Sequence, residues 1–527
     1  MKPFKFLFIS LALFSFNVLT SQVPTVKWWF DTKSFSAGMA AADDLDGDGK
    51  LEIVFGCYRN DGGVYALNAE NGSVLWSYFP HTPADEGCND VAPLIYDVNS
   101  DGLLEVIIAS SCTPKTTCLN GKTGEVIWQA NTMGSDSPPT IADLDGDGKL
   151  EILHGEFLGW VRCLSAEKGT LLWDLQVNRN SWVQTAPTIV DVNNDGQLDF
   201  VVGTWNFDNK DSLYAFNGKT RERLWTLPIH GHIYHGTSVA DFDNDKKPEL
   251  IVGSYNSNLY CINGDDGSID WTYQGPGAVS CPAVIGDIDN DGECEVILTS
   301  WYKTIALTNT GLVKWEYEMP SSSYNFRGTV LADINGDAFL DVIFGTYAGE
   351  FIALNGSNGS EIFNMDIATH YGKSPFDINH APLISDFDDD GTLDAFFVGG
   401  WGVASPTIKN NYGRAYMVSV GTGNGPDWLM FQHDIRRQSS MCYDYTTSLN
   451  DNSPDIEQEL NLVYPNPATD FIIIPNKSQE IEIFSSLGSS SWKLSNIAED
   501  RVDVSFFANG LYFIKIGNKI NKFIILR

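Results

Sequence analysis

One nine-residue pattern returns eight times along this chain of 527 residues and limits what the chain can fold into. The pattern is Asp-x-(Asp/Asn)-x-Asp, usually followed by Gly, with an acid at the ninth place. The copies begin at Asp44, Asp97, Asp143, Asp191, Asp241, Asp287, Asp333 and Asp386. Their spacing averages about 49 residues, and a fixed period of that length indicates a repeat architecture.

Each repeat is predicted to contain four short strands. In the first unit, apolar residues 39–42 precede the acidic loop 44–52, and residues 53–55, 63–68 and 73–78 supply three further β-branched and aromatic runs. Gly, Asn and Asp turns separate the runs, and no helical periodicity lies between them. The unit predicts an all-β, eight-bladed β-propeller, and the eight copies favour eight blades over seven.

A second signature, Gly-x-x-x-Trp, recurs near the end of the unit. Its copies are Gly72/Trp76, Gly124/Trp128, Gly169/Trp173, Gly267/Trp271 and Gly311/Trp315, with Arg221/Trp225 and Phe363 as variants. One large flat side chain per blade suits packing between neighbouring blades. Trp28 and Trp428 both resemble residues of an outermost strand. We expect segment 26–30 to pack on the last blade, although the sequence does not identify the strand that closes the ring.

The unit resembles two known propeller families. Residues 44–56, Asp-Leu-Asp-Gly-Asp-Gly-Lys-Leu-Glu-Ile-Val-Phe-Gly, resemble the FG-GAP repeat of integrin α-subunits. Residues 66–76, Ala-Leu-Asn-Ala-Glu-Asn-Gly-Ser-Val-Leu-Trp, are similar to the tryptophan-docking repeat of quinoprotein dehydrogenases. The resemblance implies a propeller over residues 30–440, but a shared fold does not carry a function with it.

The acidic loops have the composition of calcium sites. Calcium prefers six to eight hard oxygen ligands, which side chains at places one, three and five, a carbonyl at place seven and an acid at place nine can supply. Gly at place six permits a left-handed backbone. The predicted ligands are Asp44, Asp46, Asp48, Glu52, Asp97, Asn99, Asp101, Glu105, Asp143, Asp145, Asp147, Glu151, Asp191, Asn193, Asp195, Asp199, Asp241, Asp243, Asp245, Glu249, Asp287, Asp289, Asp291, Glu295, Asp333, Asn335, Asp337, Asp341, Asp386, Asp388, Asp390 and Asp394.

Two loops depart from the glycine at place six. Lys246 replaces it in the fifth loop, where the added positive charge predicts the weakest site, and Ala338 replaces it in the seventh. Eight acidic loops on tight hairpins predict several mainly structural Ca²⁺ ions, because uncompensated acids would repel one another.

The face opposite the acidic loops is predicted to carry the ligand site. Fourteen places after the start of the motif, aromatic residues recur in most units: Tyr58, Phe157, Trp205, Tyr255, Trp301, Tyr347 and, one residue later, Trp401. They either form a binding ring for sugars or protein side chains, or pack between blades. Loops before the innermost strands add Asp90, Asp136, Gln184, His235, Arg327 and His380. These polar residues either surround a central ligand or bond to nearby backbone.

The net charge and the amino-terminal segment predict a protein that is exported from the cell. The net charge of −35 argues against nucleic acid and against an anionic membrane surface. Of the 68 acids, 29 lie at the four acid places of the motif, so a large part of the acidity belongs to the loops. Residues 1–21 read as a secretory signal peptide, with Lys2 and Lys5 before an apolar run. No later run is long enough for a transmembrane helix.

The carboxy-terminal region is a different module. A polar linker, 444–460, separates the propeller, 22–443, from residues 461–527. The opening Tyr-Pro-Asn-Pro-Ala at 464–468 and the strand Gly-Leu-Tyr-Phe-Ile-Lys at 510–515 resemble the carboxy-terminal sorting domain of the type IX secretion system. The resemblance implies a small β-sandwich, the secretion machinery as partner, and a secreted or outer-surface location reached through the periplasm.

Nine cysteines leave at least one without an intrachain partner. Cys118, Cys163 and Cys261 occupy the place of a small core residue. Cys57 and Cys88, on neighbouring loops, are the expected disulfide.

These features favour an extracellular binding or adhesion module for a glycan or protein. The alternative is an enzyme. A quinoprotein dehydrogenase is disfavoured because the adjacent Cys-Cys pair associated with that family is absent. A calcium-dependent polysaccharide lyase is the stronger enzymatic alternative, with His235 or His380 as base and Arg327 for a substrate carboxylate.

Overall fold

The computed structural model describes residues 23–206, 208, 210–320, 323–443, the strands of the carboxy-terminal region, and residues 504 and 507. Contacts divide the chain into two compact units, residues 1–449 and 450–527. The predicted signal peptide and linker lie outside the described residues. Within the described ranges, no helix has the length and apolarity to cross a membrane.

The first unit is an eight-bladed propeller, as the repeat predicts. Its first strands are β1 (Thr25–Thr32), β2 (Ala41–Asp43), β3 (Glu52–Gly56), β4 (Val64–Asn68), β5 (Val74–Tyr78), β6 (Leu94–Tyr96), β7 (Glu105–Ala109), β8 (Lys115–Asn120), β9 (Val126–Asn131), β10 (Thr140–Ala142), β11 (Glu151–Gly155), β12 (Trp160–Ser165) and β13 (Leu171–Gln176). Next come β14 (Ser181–Trp182), β15 (Thr188–Val190), β16 (Asp199–Gly203), β17 (Trp205–Asn206), β18 (Ser212–Asn217), β19 (Arg223–Pro228), β20 (Ser238–Ala240), β21 (Glu249–Gly253), β22 (Asn258–Asn263) and β23 (Ile269–Gln274). The last are β24 (Val284–Gly286), β25 (Glu295–Ser300), β26 (Lys303–Leu307), β27 (Val313–Glu318), β28 (Val330–Ala332), β29 (Asp341–Gly345), β30 (Glu350–Leu354), β31 (Glu361–Asp366), β32 (Leu383–Ser385), β33 (Leu393–Trp401) and β34 (Tyr412–Gly421). Short helices lie at Ala84–Glu86, Phe157–Gly159, Ile367–Tyr371 and Ile408–Asn410.

Seven blades are antiparallel sheets whose strands follow chain order, with β17 left out of the fourth because it pairs with β14, and the eighth blade is closed by the amino-terminal strand. Its order is β32-β33-β34 with β1 as the outermost strand. Trp29 pairs with Tyr416 in this ladder. The expectation for segment 26–30 is therefore confirmed.

Burial changes from the axis outward, which explains the strand patterns. The second strand of the first blade, β3, is buried at every residue because it is covered on both faces. The outermost β23 alternates between exposed and partly buried residues, since only one face packs on a neighbouring blade.

The recurring tryptophans join neighbouring blades, as predicted. Trp76 is 6% exposed, and its indole Nε1 donates a 2.6 Å hydrogen bond to the carbonyl of Gly121 in the next blade. Gly124 of that blade has φ of 69° and faces the Trp76 ring, where a Cβ would come within 2.7 Å. Trp28 makes the same bond from β1, to Ala69. Trp428, by contrast, lies buried on the axis rather than in an outer strand.

Residues 422–443, here called the axial segment, run around the inside of the ring. Six innermost strands donate the N–H of their middle residue to a carbonyl of this segment. The pairs are Ala42–Leu429, Ile141–Ile435, Ile189–Arg436, Val239–Gln438, Ile285–Ser439 and Ile384–Trp428, at 2.9–3.3 Å. The inner strands would otherwise present unpaired edges, so the axial segment satisfies their backbone groups.

Arg437 holds the axial segment at its centre. Its guanidinium is fully buried and donates hydrogen bonds to the carbonyls of Pro93, Pro139 and Phe431. Nothing in the motif of the blades predicts this plug, because residues 422–443 carry no copy of it.

The described cysteines form two disulfides, neither of them the expected one. Cys88 pairs with Cys112, and Cys294 pairs with Cys442. Cys57 is buried and free, so the prediction of a Cys57–Cys88 bond was wrong. The loop after the next blade's second strand brings Cys112 within reach of Cys88 instead. Cys118, Cys163 and Cys261 are free core residues, as predicted.

The second unit consists of antiparallel strands. They are β35 (Phe471–Ile473), β36 (Glu480–Ser485), β37 (Ser491–Ser495), β38 (Arg501–Asp503), β39 (Gly510–Ile516) and β40 (Lys519–Ile525). One sheet has the order β37-β36-β39-β40, and β35 pairs with β38. Ile483, Val502 and Ile514 are buried in this unit.

Candidate functional site

The acidic loops occupy the hairpins between the first and second strands of the blades. In the first loop, Asp44 Oδ1 accepts the N–H groups of Gly47 and Asp48 at 2.8 and 3.1 Å, and its Oδ2 accepts that of Gly49. Asp46 Oδ1 accepts the Asp48 N–H as well. These bonds turn the side chains of places one, three and five toward one another.

The acid at place nine is a buried member of the ligand set, as Glu52 shows in the first loop. Glu52 is fully buried; its Oε2 accepts the N–H of Leu45, and its Oε1 has no hydrogen-bond partner. Burial, followed by the charges of Asp46 and Asp48, raises the pKa of Glu52 to about 7. A buried carboxylate oxygen without a partner, beside further carboxylates, fits a hard divalent cation.

Five loops gather three carboxylate ligand atoms within 4.8 Å of one another. The groups are Asp44/Asp46/Asp48, Asp143/Asp145/Glu151, Asp241/Asp243/Glu249, Asp287/Asp289/Asp291 and Asp386/Asp388/Asp394. The second, fourth and seventh loops carry an asparagine at place three. Several of the predicted loops can therefore hold a metal ion.

Place six adopts the left-handed backbone that the glycine pattern predicts. Gly49 has φ of 89°, and Lys246 and Ala338 keep that conformation at 71° despite their side chains. The two departures therefore preserve the shape of the loop at a steric cost.

The six polar residues predicted for the opposite face converge near the axis. Arg327 donates a 3.1 Å hydrogen bond to Nδ1 of His235, two blades away. Gln184 donates to Asp136 at 2.9 Å. Burial and the charge of Asp136 raise the pKa of Asp90 to about 6, while Arg327 acts in the opposite direction. We call this group, completed by His380, the axial cluster.

Two buried histidines of the axial cluster keep nitrogens without partners. His235 is 3% exposed and His380 is 1% exposed. Burial lowers the pKa of His380 to about 3, and burial together with the Arg327 charge lowers that of His235. Neither Nε2 has a hydrogen-bond partner among the described residues. Both imidazoles are therefore neutral at pH 7, and because Nδ1 of His235 accepts from Arg327, the proton of that ring lies on Nε2.

The predicted aromatic ring divides into packed and exposed members. Trp205 stacks on His232 with ring centroids 4.2 Å apart, and it also contacts Tyr234 and Tyr255. Phe157 packs on Trp182 and Tyr58 on Phe35. By contrast, Trp301 is 59% exposed and Tyr347 is 40% exposed. The ring is thus not one continuous binding surface.

The last predicted aromatic, Trp401, lines an open cavity of about 420 Å³ on the eighth blade. The other lining residues are Lys373, Ser374, Pro375, Lys409, Asn410, Asn411 and Tyr412. The ammonium of Lys373 lies 3.4 Å from the centroid of the Tyr412 ring, and Lys409 forms an ion pair with Asp85. We call this the blade-eight pocket.

Sequence reasoning found only Trp401 of this pocket. The feature that could have indicated the pocket is the length of β33 and β34. At nine and ten residues, these strands are longer than those of the other blades.

Three segments or groups of segments match known families. Residues 44–108, 97–154 and 191–252 match the FG-GAP-like repeat. Residues 246–427 match the family of the outer membrane protein assembly factor BamB. Residues 462–526 match the secretion system C-terminal sorting domain. The chain therefore carries FG-GAP-like propeller repeats and a type IX sorting domain, and the latter directs it to secretion or the cell surface.

Three relatives share part of the sequence. The rhamnogalacturonan endolyase YesW of Bacillus subtilis is 25% identical, over 42% of this chain and 38% of its own length. A polyvinylalcohol dehydrogenase of Sphingopyxis is 24% identical, over 37% and 36%. The β-agarase A of Zobellia galactanivorans is 26% identical, over 36% and 31%. The chain thus spans about a third of the length of each of these proteins.

Solved structures show the fold over most of both chains. The biofilm matrix protein Bap1 of Vibrio cholerae aligns with a TM-score of 0.55 and 16% identity, covering 77% of this chain and 94% of that one. At this identity the likeness concerns the fold alone.

Proposed function

We propose that this protein is a secreted, calcium-stabilised propeller that binds an acidic glycan outside the cell. The blade-eight pocket carries the proposal. Trp401 offers a flat face for a sugar ring, and the exposed Asn410 adds an amide hydrogen-bonding group, while Tyr412 and Asn411 form the buried wall behind them. Lys373 supplies positive charge in a chain of net charge −35, and Lys409, which is paired with Asp85, adds a second ammonium. A cavity with a few polar groups and aromatic walls is typical of ligand sites.

The relatives support a polysaccharide as the ligand class. Two of them are named for activities on polysaccharides, an endolyase on rhamnogalacturonan and an agarase. The oxygen-rich loops support calcium, since carboxylates and backbone carbonyls are its usual ligands.

Affinity electrophoresis of the full-length protein through gels containing acidic or neutral polysaccharides, in millimolar calcium, tests the proposal. We expect retardation by an acidic polymer, weakened about tenfold or more by Trp401→Ala because stacking is lost. Trp301→Ala, which removes an exposed aromatic outside the pocket, is the matched control. Equal retardation of wild type and Trp401→Ala would place the binding elsewhere, and no retardation by any polymer would turn the search to protein ligands.

Lys373→Gln and Lys409→Gln separate charge from stacking. If the ligand is acidic, both variants weaken binding and the loss shrinks at high salt. A salt-independent loss would indicate a neutral glycan.

A second candidate function is polysaccharide cleavage at the axial cluster. It is favoured by two members of that cluster. Arg327 is a partner for a carboxylate, and neutral His380, whose two ring nitrogens lack hydrogen-bond partners among the described residues, is the candidate base. Size-exclusion chromatography of the incubated polymer distinguishes the two functions, because shortened chains require an enzyme. In that case His380→Asn should abolish cleavage and leave retardation unchanged.

The sorting domain has its own test. Deleting residues 461–527 should leave the protein in the periplasm, measured by fractionation of the cells. Normal export of the truncated chain would show that the region is not the export signal.

A further inference from the structure

The sixth acidic loop contains a positive side chain from its own blade. The ammonium of Lys314, on the outermost strand β27, lies 2.5 Å from Asp289 and 2.8 Å from Glu295. It also lies 3.7 Å from Asp291. The Lys314 side chain is 19% exposed and that of Glu295 is 2% exposed, so the group is largely withdrawn from water.

The eighth loop has the same arrangement. The ammonium of Lys27, on β1, lies 2.6 Å from Asp388 and 3.0 Å from Asp390. It lies 3.1 Å from Asp394, whose side chain is 1% exposed. Places three, five and nine of the loop therefore all contact one lysine nitrogen.

The two lysines occupy one structural position. Each directly precedes the aromatic residue of its outermost strand, in the sequences Val-Lys-Trp at 26–28 and 313–315. In the other six blades this place is taken by Leu75, Ile127, Leu172, Leu224, Asp270 and Ile362. A side chain at this position reaches the acidic loop of its own blade, and only these two blades place a cation there.

We propose that the sixth and eighth loops are held by their own lysines in place of calcium, so that the chain binds two calcium ions fewer than its eight motifs indicate. An ammonium at 2.5–3.1 Å donates to the oxygens that a metal ion would coordinate. A divalent ion could enter only after the lysine leaves, because two cations at such distances repel strongly. Within the described part of the chain, each loop still keeps two buried carboxylate oxygens without a hydrogen-bond partner, Oδ1 of Asp287 and Asp289 in the sixth and Oδ1 of Asp388 and Asp394 in the eighth. The lysine therefore neutralises part of the charge of each loop without satisfying its whole donor set.

In the fifth loop the lysine lies within the motif itself, and its contacts differ from those of Lys27 and Lys314. Within the described residues, Lys246 forms no ion pair, and its backbone N–H donates to Asp241 at 3.1 Å. The position that holds Lys314 in the sixth blade is Asp270 in the fifth. The fifth loop therefore gains an acid rather than a built-in cation, which opposes the expectation that it is the weakest site.

The lysine-held loops lie where the chain is joined. Lys27 belongs to β1, which closes the ring on the eighth blade. The sixth loop includes Cys294, whose disulfide to Cys442 ties down the end of the axial segment. Both junctions would thus keep their hairpins folded without metal.

Counting calcium ions by native mass spectrometry of the full chain tests the inference. After chelation and return to calcium, the Lys27→Met, Lys314→Met double variant should bind two more ions than wild type. Leu75→Lys, which places the cation in the first blade, should bind one fewer. An unchanged count in the double variant, or eight ions on the wild type, would overturn the proposal; a gain of one would overturn it for one loop.

Hydrogen exchange in chelator provides an independent readout. Backbone amides of 287–295 and 386–394 should stay protected when calcium is removed, while those of 44–52 and 143–151 lose protection. In the double variant, the first two loops should lose protection as well. Equal loss in all four wild-type loops would contradict the lysine-held state.

Discussion

The two faces of the propeller obey different rules. On the acidic face, every blade repeats one loop with the same turn bonds, as in Asp44–Gly49 and Asp143–Gly148 at 2.9 and 2.8 Å. On the opposite face, equivalent positions differ: Trp205 is stacked within a cluster, Trp301 is exposed, and Trp401 lines a pocket. Uniformity suits a structural task that each hairpin performs for itself, whereas a ligand site needs different groups at one place.

The lysine-held loops are the exception within the uniform face. Their difference does not lie in the motif but in one residue of the outermost strand. Repeats that look alike in sequence can therefore divide into two chemical classes through a neighbour that only the folded blade brings close.

Removal of calcium should lower the stability more than any substitution below, and the structural change should be confined to the acidic face. Each site saturated at about 100 times its Kd adds about 2.7 kcal/mol to the free energy of unfolding. Several sites together should therefore lower the Tm by roughly 10 °C or more on chelation, measured by calorimetry. Magnesium is the control, since it needs a stricter octahedral geometry and should restore less. An unchanged Tm would deny the loops their structural role.

Trp76→Ala should be the most damaging single substitution named here. It removes a buried indole and its bond to Gly121 between blades, for a loss of about 3–5 kcal/mol in urea unfolding. Trp301→Ala, at an exposed site of the opposite face, should change stability by no more than about 0.5 kcal/mol. Similar losses in both variants would mean that the aromatic residues of the opposite face are also structural.

Arg437→Met tests whether the axial segment stabilises the fold, as the acidic loops are expected to do. The variant leaves three buried carbonyls without their donor, and each unpaired group costs about 1–3 kcal/mol. We expect a loss of about 3 kcal/mol in urea unfolding, against no loss for the exposed Arg179→Met. A stable variant would show that the plug is dispensable.

Lys246→Gly and Ala338→Gly should give the smallest effect. Both residues hold φ of 71°, where glycine is free of strain, so each change should add about 1 kcal/mol to stability. Only Lys246→Gly also removes a charge, so only its gain in calcium affinity, measured by titration calorimetry, should depend on salt. A loss of stability in either variant would mean that the side chain packs usefully where it is.

The repeat made most of the fold predictable. Four strands per unit, the tryptophan contacts and the left-handed place six follow from local rules that act within one blade or between two neighbours. The pairing of Cys88 with Cys112 was missed because the distance between loops of different blades is not written in the spacing of the cysteines.

By itself, the sequence determined the number of blades, the acidic loops and the sorting domain, because each is encoded by a contiguous pattern. Only the tertiary structure decided that residues 422–443 fill the axis, that Lys27 and Lys314 enter two acidic loops, and that Trp401 meets Lys373 and Lys409 in one pocket. The axial segment and Lys27 meet residues far apart in the chain, so their contacts depend on closure of the ring. Lys314 and Trp401 meet residues of their own blade or of the segment that leads into it, which only the folding of that sheet brings together.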